Sequence, residues 1–397
     1  MFASRTKWRL EPNRFTRALE EHRNSGKELL DLTASNPTTC GLAYPEEEII
    51  AALADPRMLE YHPESKGLRE AREAVAGYYD GRRGFSVPGS REVAKVDPEC
   101  ILLTSGTSEA YSHIFRLLCE AGGEILVPAP SYPLFEFLAD LADIRLVPYP
   151  LLYDHGWQID FASLRAAVTP RSRALLVVHP NNPTGSFVKP REAVELEEIC
   201  FAHEMAIVAD EVFLDYRDGP EPAQTFALHG GALTFTLSGL SKISLLPQMK
   251  LAWIVVSGQH ALVHSAVERL EIIADTYLSP STPIQLALPK FLALRHGLQE
   301  QLEKRISTNL SALDEELRAS KLLTRLEREG GWYTVLRVPV TGTDEDLAIN
   351  LLERYSVLVH PGHFFNFPRD GFLVLSLITP EQQFQEGVRR LRKLFDG

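Results

Sequence analysis

The chain is poor in cysteine: Cys40, Cys100, Cys119 and Cys200 are four residues scattered through 397, with no Cys-x-x-Cys pair among them. That spacing builds neither a disulfide framework nor a zinc knuckle, and no histidine cluster offers ligands instead, so no metal is expected. Long apolar runs are missing as well. No stretch approaches the roughly 20 apolar residues of a membrane span, and the N-terminus, MFASRTKWRLEPNRFTRALEEHR, is charged where a signal peptide needs an apolar core. The expectation is a soluble, cytoplasmic protein with no membrane partner. Positive charge is also in deficit, with 41 Lys and Arg against 53 Asp and Glu and a formal net charge of -12. A chain built to neutralise nucleic-acid phosphates would show the opposite balance, so small solutes are the expected partners.

What is present is an ordinary globular mixture, 45% hydrophobic and 24% charged, without internal repeats or low-complexity tracts. The length suffices for two domains of roughly 150 residues or more each. From Glu99 onward, short β-rich runs alternate with helical segments: 100–104, 124–129, 144–149, 174–179, 205–210, 233–238 and 251–257. Unbroken apolar strands separated by helices imply a mostly parallel sheet covered on both faces, an α/β architecture. Leu298, Leu302, Ile306, Leu310, Leu313 and Leu317 then recur at spacings of three and four, the period of one long amphipathic helix. After Gly330 and Gly331 come YTVLRVP, a helical EDLAINLLERY, SVLVHPG, FLVLSL and a last helix, a second α+β unit. Residues 46–295 are therefore expected to form a large α/β domain, and 1–45 with 296–397 a smaller α+β domain, joined by the long helix.

In an open α/β sheet, ligands bind beyond the carboxyl ends of the strands, so the residues just past each strand carry the chemistry. After ILLT come Gly106, Thr107 and Ser108, a strand-to-helix turn that either caps the helix or holds a phosphate at its N-terminus. After ALLVVH comes PNNPTGS, where Asn182 is a turn residue or a ligand's hydrogen-bond partner. Asp210 ends a buried strand, and a carboxylate there needs a structural partner or a ligand cation. After LTFTLS comes SGLSKISLLPQMK, in which Lys242 sits between strand and apolar residues. A desolvated lysine has a lowered pKa and becomes a nucleophilic amine. A phosphate cradle, an amide, an acid and a lysine together fit pyridoxal 5'-phosphate, with its anionic tail, ring nitrogen, phenolic oxygen and aldehyde.

At these residues the chain resembles the class I and II aminotransferases, pyridoxal-phosphate enzymes of fold type I. TSGTSEA is similar to the family's phosphate loop, PSYP (130–133) to the segment whose aromatic stacks on the ring, NNPTG (181–185) to the Asn-Pro-x-Gly motif, DEVF (210–213) to Asp-Glu-x-Tyr, and SGLSK to the lysine motif. YHPESKGLREAREAV (61–75) resembles the family's Tyr…Gly-Leu segment, and the order of the motifs matches over essentially the whole chain. The resemblance implies that Lys242 forms the Schiff base and shuttles the substrate proton, and that Asp210 keeps the pyridine nitrogen protonated. Asn182 would hold the ring oxygen, Tyr132 stack on the ring, and Gly106, Thr107, Ser108, Ser241 and Lys250 bind the phosphate. Tyr61 would reach the phosphate of a neighbouring subunit in a homodimer.

The chain departs from that pattern in places. Phe213 replaces a Tyr whose hydroxyl donates to the ring oxygen, which raises the expected pKa of the Schiff base unless Tyr216 supplies a hydroxyl. Lys250 stands for an Arg and Gln248 for a Gly. The arginine for the substrate carboxylate, two residues before a serine, is replaced by Val374 ahead of Ser376, and the N-terminal loop TASNP, which helps bind that carboxylate, places Ser35 where a Gly is usual, with Asn36 following. Arg369, in the loop NFPRDG, is the candidate substitute. The expected function is transfer of an amino group between an amino donor and an oxo acid, with a lyase or decarboxylase on the same cofactor as the alternative. A regulatory DNA-linked role is disfavoured by the acidic balance and the want of a basic N-terminal domain.

Overall fold

The apolar runs that alternate with helical segments in the sequence become the strands of one eight-stranded sheet in the computed structural model, which describes residues 1–86, 88–89, 93–278 and 280–396. A short strand, β1 (Leu30–Asp31), precedes it. The sheet is built from β2 (Ile101–Thr104), β3 (Glu124–Ala129), β4 (Arg145–Tyr153), β5 (Trp157–Ile159), β6 (Ser172–Val178), β7 (Ala206–Asp210), β8 (Thr234–Gly239) and β9 (Ala252–Ser257). Their order is β2-β9-β8-β7-β6-β3-β4-β5. Pairing is parallel from β4 through β3, β6 and β7 to β8, and antiparallel where β9 sits between β8 and β2. The carboxyl ends of β2, β6, β7 and β8 consequently meet along one edge.

Both faces of this sheet are covered, which is why its strands are apolar at successive positions. Ile125, Val127, Leu176 and Val208 pack on one side against Ile114, Phe115 and Leu270 of the helices Thr107–Leu118 and His260–Tyr277. Leu126, Leu175, Val177 and Ile207 face the other way, onto Leu196 and Ile199 of the helix Pro190–Ala202. One local expectation is extended: β4 continues past Tyr149 to Tyr153 and folds back on β5 as a hairpin.

The helix Thr282–Arg318 runs 37 residues, roughly 55 Å at the helical rise. Its N-terminal part buries Ala287, Leu288 and Phe291 beside the main sheet, and from Leu298 onward it buries Leu298, Leu302, Ile306 and Leu313 in a separate core. That core belongs to a four-stranded antiparallel sheet. Beyond the helix come β10 (Thr324–Arg325), β11 (Tyr333–Arg337), β12 (Val357–Leu358), β13 (His360–Pro361) and β14 (Phe372–Ser376). The sheet order is β10-β11-β14-β13, while β12 pairs in parallel with β1. The run SVLVHPG thus serves two sheets: Val357 and Leu358 pair with the N-terminal segment, and after Val359 the chain crosses so that His360 pairs with Val374.

Candidate active site

Where the strand ends of the main sheet face the small sheet, a cavity of about 330 Å3 is lined by Ser35, Thr107, Tyr132, Asn182, Asp210, Phe213, Ser241, Lys242, Tyr333, His360, Phe364 and Phe365, among others. Eight of the residues expected from the sequence lie on it: Ser35, Thr107, Tyr132, Asn182, Asp210, Phe213, Ser241 and Lys242.

Lys242 lies on a one-turn helix, Leu240–Ile243, immediately after β8. Its Nζ donates to the carbonyl of Ser35 at 3.4 Å and lies 4.6 Å from the Trp332 ring and 5.6 Å from that of Phe213. Two aromatic faces solvate an ammonium poorly compared with water. Burial therefore pulls its pKa from 10.5 to about 8, although the Asp210 carboxylate opposes the shift. Tyr216 donates to the backbone carbonyl of Lys242 at 2.7 Å. Its hydroxyl is committed there, so it braces the lysine turn and does not replace the hydroxyl that Phe213 lacks.

Asp210 is the last residue of β7 and is buried. Tyr111 donates to one of its oxygens at 2.7 Å and the Val212 amide to the other at 3.1 Å. Burial nevertheless raises its pKa, with those two bonds and the Lys242 charge pulling the other way. A carboxylate so placed gains from a further cationic N–H. Tyr111 has no signature of its own in the sequence. It lies one helical turn after Thr107, and only the fold brings it beneath Asp210.

Asn182 follows β6 in a loop tied by Gly185 N–H to the Asn181 carbonyl at 2.7 Å and by Thr184 Oγ1 to Asn181 Oδ1 at 2.9 Å. Its own Oδ1 is buried without a hydrogen-bond partner. Gly185 has φ +70°, and a Cβ there would lie 2.4 Å from the carbonyl oxygen of Gly330, so this loop rests directly on the segment that leads into β11. Across the cavity, the amide of Ser131 donates to the Phe365 carbonyl at 2.8 Å, which ties the Tyr132 loop to the small sheet. Tyr132 itself is 41% exposed, its ring edge-on to Phe135.

Gly106 is the N-cap of the helix Thr107–Leu118, and no side chain caps that end. The first amides and the positive end of the helix are left available to an anion. Lys250, in a left-handed conformation at φ 51°, brings its Nζ to 3.7 Å from where a Cβ on Gly106 would lie. Gly106, Ser108 and Lys250 border the phosphate end without lining the cavity itself. A half-satisfied buried acid, a lysine of lowered pKa and an uncapped helix end beside a second lysine together fit pyridoxal phosphate. If the group binds here, Lys242 would meet its aldehyde, Asp210 its ring nitrogen, and the Gly106–Lys250 end its phosphate.

Three expected residues stand elsewhere. Asn36 turns its side chain to cap Pro37–Thr39, accepting from the Thr38 amide. Arg369 is exposed, with its guanidinium 5.8 Å over the Phe372 ring, and does not line the cavity. Tyr61 is 75% exposed on a segment held to the helix His260–Tyr277 by a bond from Ser65 to Glu271. No helix among the described residues is long and apolar enough to cross a membrane.

Comparison with known proteins agrees with this geometry. The family model for aminotransferase class I and II matches residues 27–391. The glutamate-pyruvate aminotransferase AlaA of Escherichia coli K12 is 28% identical over 365 residues, covering 89% of this chain and 87% of its own. The alanine aminotransferase of Mycobacterium tuberculosis H37Rv is 26% identical, over 92% of this chain and 85% of its own. Among solved structures, the alanine aminotransferase of Pyrococcus furiosus superposes with a TM-score of 0.87 over the full length of both chains at 22% identity, a likeness of fold. An aminotransferase of Escherichia coli does so with a TM-score of 0.86 at 24% identity, over 100% of this chain and 98% of its own. The named relatives are transaminases, which decides between transfer and the lyase alternative: the chain belongs to the class I and II aminotransferases and is a pyridoxal-phosphate-dependent transaminase.

Proposed function

We propose that Lys242 is the amine that bonds the cofactor aldehyde, and that it transfers an amino group between a small α-amino acid and a 2-oxo acid of the alanine, glutamate and pyruvate kind. The observation that carries this reading is the Lys242 amine, held at a lowered pKa between Ser35 and two aromatic rings and facing Asp210. The substrate class follows the similarity to the glutamate-pyruvate aminotransferase of Escherichia coli and the alanine aminotransferase of Mycobacterium tuberculosis. When bound, the cofactor supplies an electron sink that acidifies the substrate Cα–H.

The chain's own residues then have distinct tasks. Nζ of Lys242, whose lowered pKa makes the neutral amine far more accessible at neutral pH than that of an exposed lysine, accepts the Cα proton. Asp210, braced by Tyr111, keeps a proton on the ring nitrogen. Asn182 holds the ring oxygen, Tyr132 and Phe213 bound the ring, and Gly106, Thr107, Ser108, Ser241 and Lys250 hold the phosphate. We also propose a homodimer in which Tyr61 reaches the neighbouring subunit's phosphate. Leu59, Tyr61, Ile272 and Leu278 are large apolar side chains at least 62% exposed, more than a free surface needs on adjoining segments. The free cysteines Cys40, Cys100, Cys119 and Cys200 suit the reducing cytoplasm.

The test is a two-stage spectral experiment on the holoenzyme. L-alanine or L-glutamate should convert the visible band to that of the amine form of the cofactor, and pyruvate or 2-oxoglutarate should restore it. Conversion without restoration, or release of ammonia or carbon dioxide, would defeat the reading.

A further inference from the structure

The family position for a carboxylate-binding arginine holds Val374, and among the described residues the cavity lining contains no fixed cation other than Lys242. Opposite Val374 on the neighbouring antiparallel strand stands His360. Directly opposed residues project from the same face of a sheet. Val374 is also in register with Val335 on β11, and two residues along, Ser376 is opposite Tyr333, which lines the cavity. The face that carries Tyr333, Val374 and His360 is therefore the cavity face. His360 itself lines the cavity, half-buried, next to the rings of Phe364 and Phe365 at 6.1 and 5.6 Å. Its Nδ1 is buried with no hydrogen-bond partner, and neither ring nitrogen is hydrogen-bonded among the described residues.

We propose that His360 takes over the task of the missing arginine, donating a ring N–H to the carboxylate of the substrate amino or oxo acid. This rests on the transamination reading and deepens it. Among charged groups, Asp31 of β1 acts on the ring, and its Oδ1 already accepts from the Thr33 amide at 2.7 Å and from the Thr33 hydroxyl at 2.5 Å. Tyr132, Asp210, Lys242 and Tyr333 are the other titratable residues of the cavity. Burial between two phenylalanines pushes the imidazole down to about 4 against the pull of Asp31. The ring is consequently neutral when the cavity is empty and offers one hydrogen bond where an arginine would offer a charged fork. A single neutral donor holds a carboxylate more weakly than that fork, and the bond gives the ring a partner that the described residues do not supply.

The experiment uses full-length holoenzyme and three variants: H360A, H360N and the pair H360A with V374R. Propionate is the non-reactive carboxylate probe, titrated through its effect on the visible band of the cofactor, and propylamine is the amine probe without a carboxylate. H360A should weaken propionate binding about 10- to 100-fold, and should raise the KM for alanine by a similar factor. Its cofactor spectrum and its reaction with propylamine should match the parent. H360N keeps a donor on a shorter side chain and should fall between the two, and V374R in the H360A background should recover propionate binding. Unchanged propionate affinity in H360A and H360N overturns the proposal, as does an equal loss toward propylamine, which would mark His360 as structural. A parent holoenzyme that fails the two-stage spectral experiment would instead overturn the transamination reading, leaving propionate affinity as the separate readout for His360.

Discussion

The two walls of the cavity are built by different rules. The wall from the main sheet carries Thr107, Asn182, Asp210, Ser241 and Lys242, at the ends of buried strands or in the loops and helix starts that follow them. The wall from the small sheet and the N-terminal segment carries Ser35, Tyr333, His360, Phe364 and Phe365, aromatic and nearly without charge. On the proposed reading, every polar group of the first wall would meet an atom of the cofactor, so its residue types would be dictated by one invariant ligand. On the second, what faces the cavity depends on which side chain must be accommodated, and the loss of an arginine at position 374 is tolerated because the neighbouring strand offers a substitute donor. The comparison predicts that damage to the first wall abolishes chemistry, while damage to the second changes affinity and substrate choice.

The sharpest test is Lys242→Ala. With no amine for the aldehyde and no base for the Cα proton, transamination should fall by at least about 10,000-fold in single-turnover measurements. The pH dependence of cofactor capture sharpens this further. Because burial lowers the Lys242 ammonium to about 8, the neutral amine fraction of the cofactor-free protein rises about tenfold per unit up to that pH and then levels. Stopped-flow capture of added pyridoxal phosphate should follow that curve. A rate still climbing toward 10.5 would mean an ordinary exposed lysine.

Asp210→Asn comes next, since an amide cannot hold a cation at the ring nitrogen. A loss of about 100- to 1,000-fold in kcat is expected with the fold intact, measured beside its circular dichroism. A variant that kept parental kcat would dissolve the contrast between the walls. Gly185→Ala attacks the contact that joins them. At φ +70° with the Gly330 oxygen 2.4 Å from the new Cβ, the substitution should cost about 2 kcal/mol in urea unfolding and loosen the small-sheet wall.

The same contrast explains what could be read from the chain. The strands of the main sheet are legible because burial on both faces makes them unbroken apolar runs, and their ends are then located by simple chain order. Asp210 and Lys242 follow directly. His360 is invisible by that route, because its importance arises from pairing with Val374 across 14 residues of chain. SVLVHPG looks like a single strand, and nothing local shows that it leaves one sheet at Val359 and enters another. Arg369 shows the converse error of sequence proximity: it lies five residues before Val374, yet the turn that carries it points its guanidinium onto Phe372 and into solvent. Tyr111 is hidden for a third reason, since a tyrosine on an amphipathic helix is read as core until the acid beneath it is known.

The smallest predicted effect concerns the one place where the main-sheet wall departs from its own rule. Phe213 is buried with its ring 5.1 Å from Trp332 and 6.4 Å from Tyr333, both edge-on, and 5.6 Å from the Lys242 Nζ. It borders the cavity, so Phe213→Tyr adds a hydroxyl to a ring of the cavity wall. A donor there favours the anionic form of the cofactor's ring oxygen, so the visible band of the holoenzyme should titrate about one unit lower than in the parent. Tyr216 cannot mask the effect, because its hydroxyl is already spent on the Lys242 carbonyl at 2.7 Å. If the band did not move downward, position 213 would belong with the tolerant wall, and the division between the walls would run just past β7 instead of between the sheets.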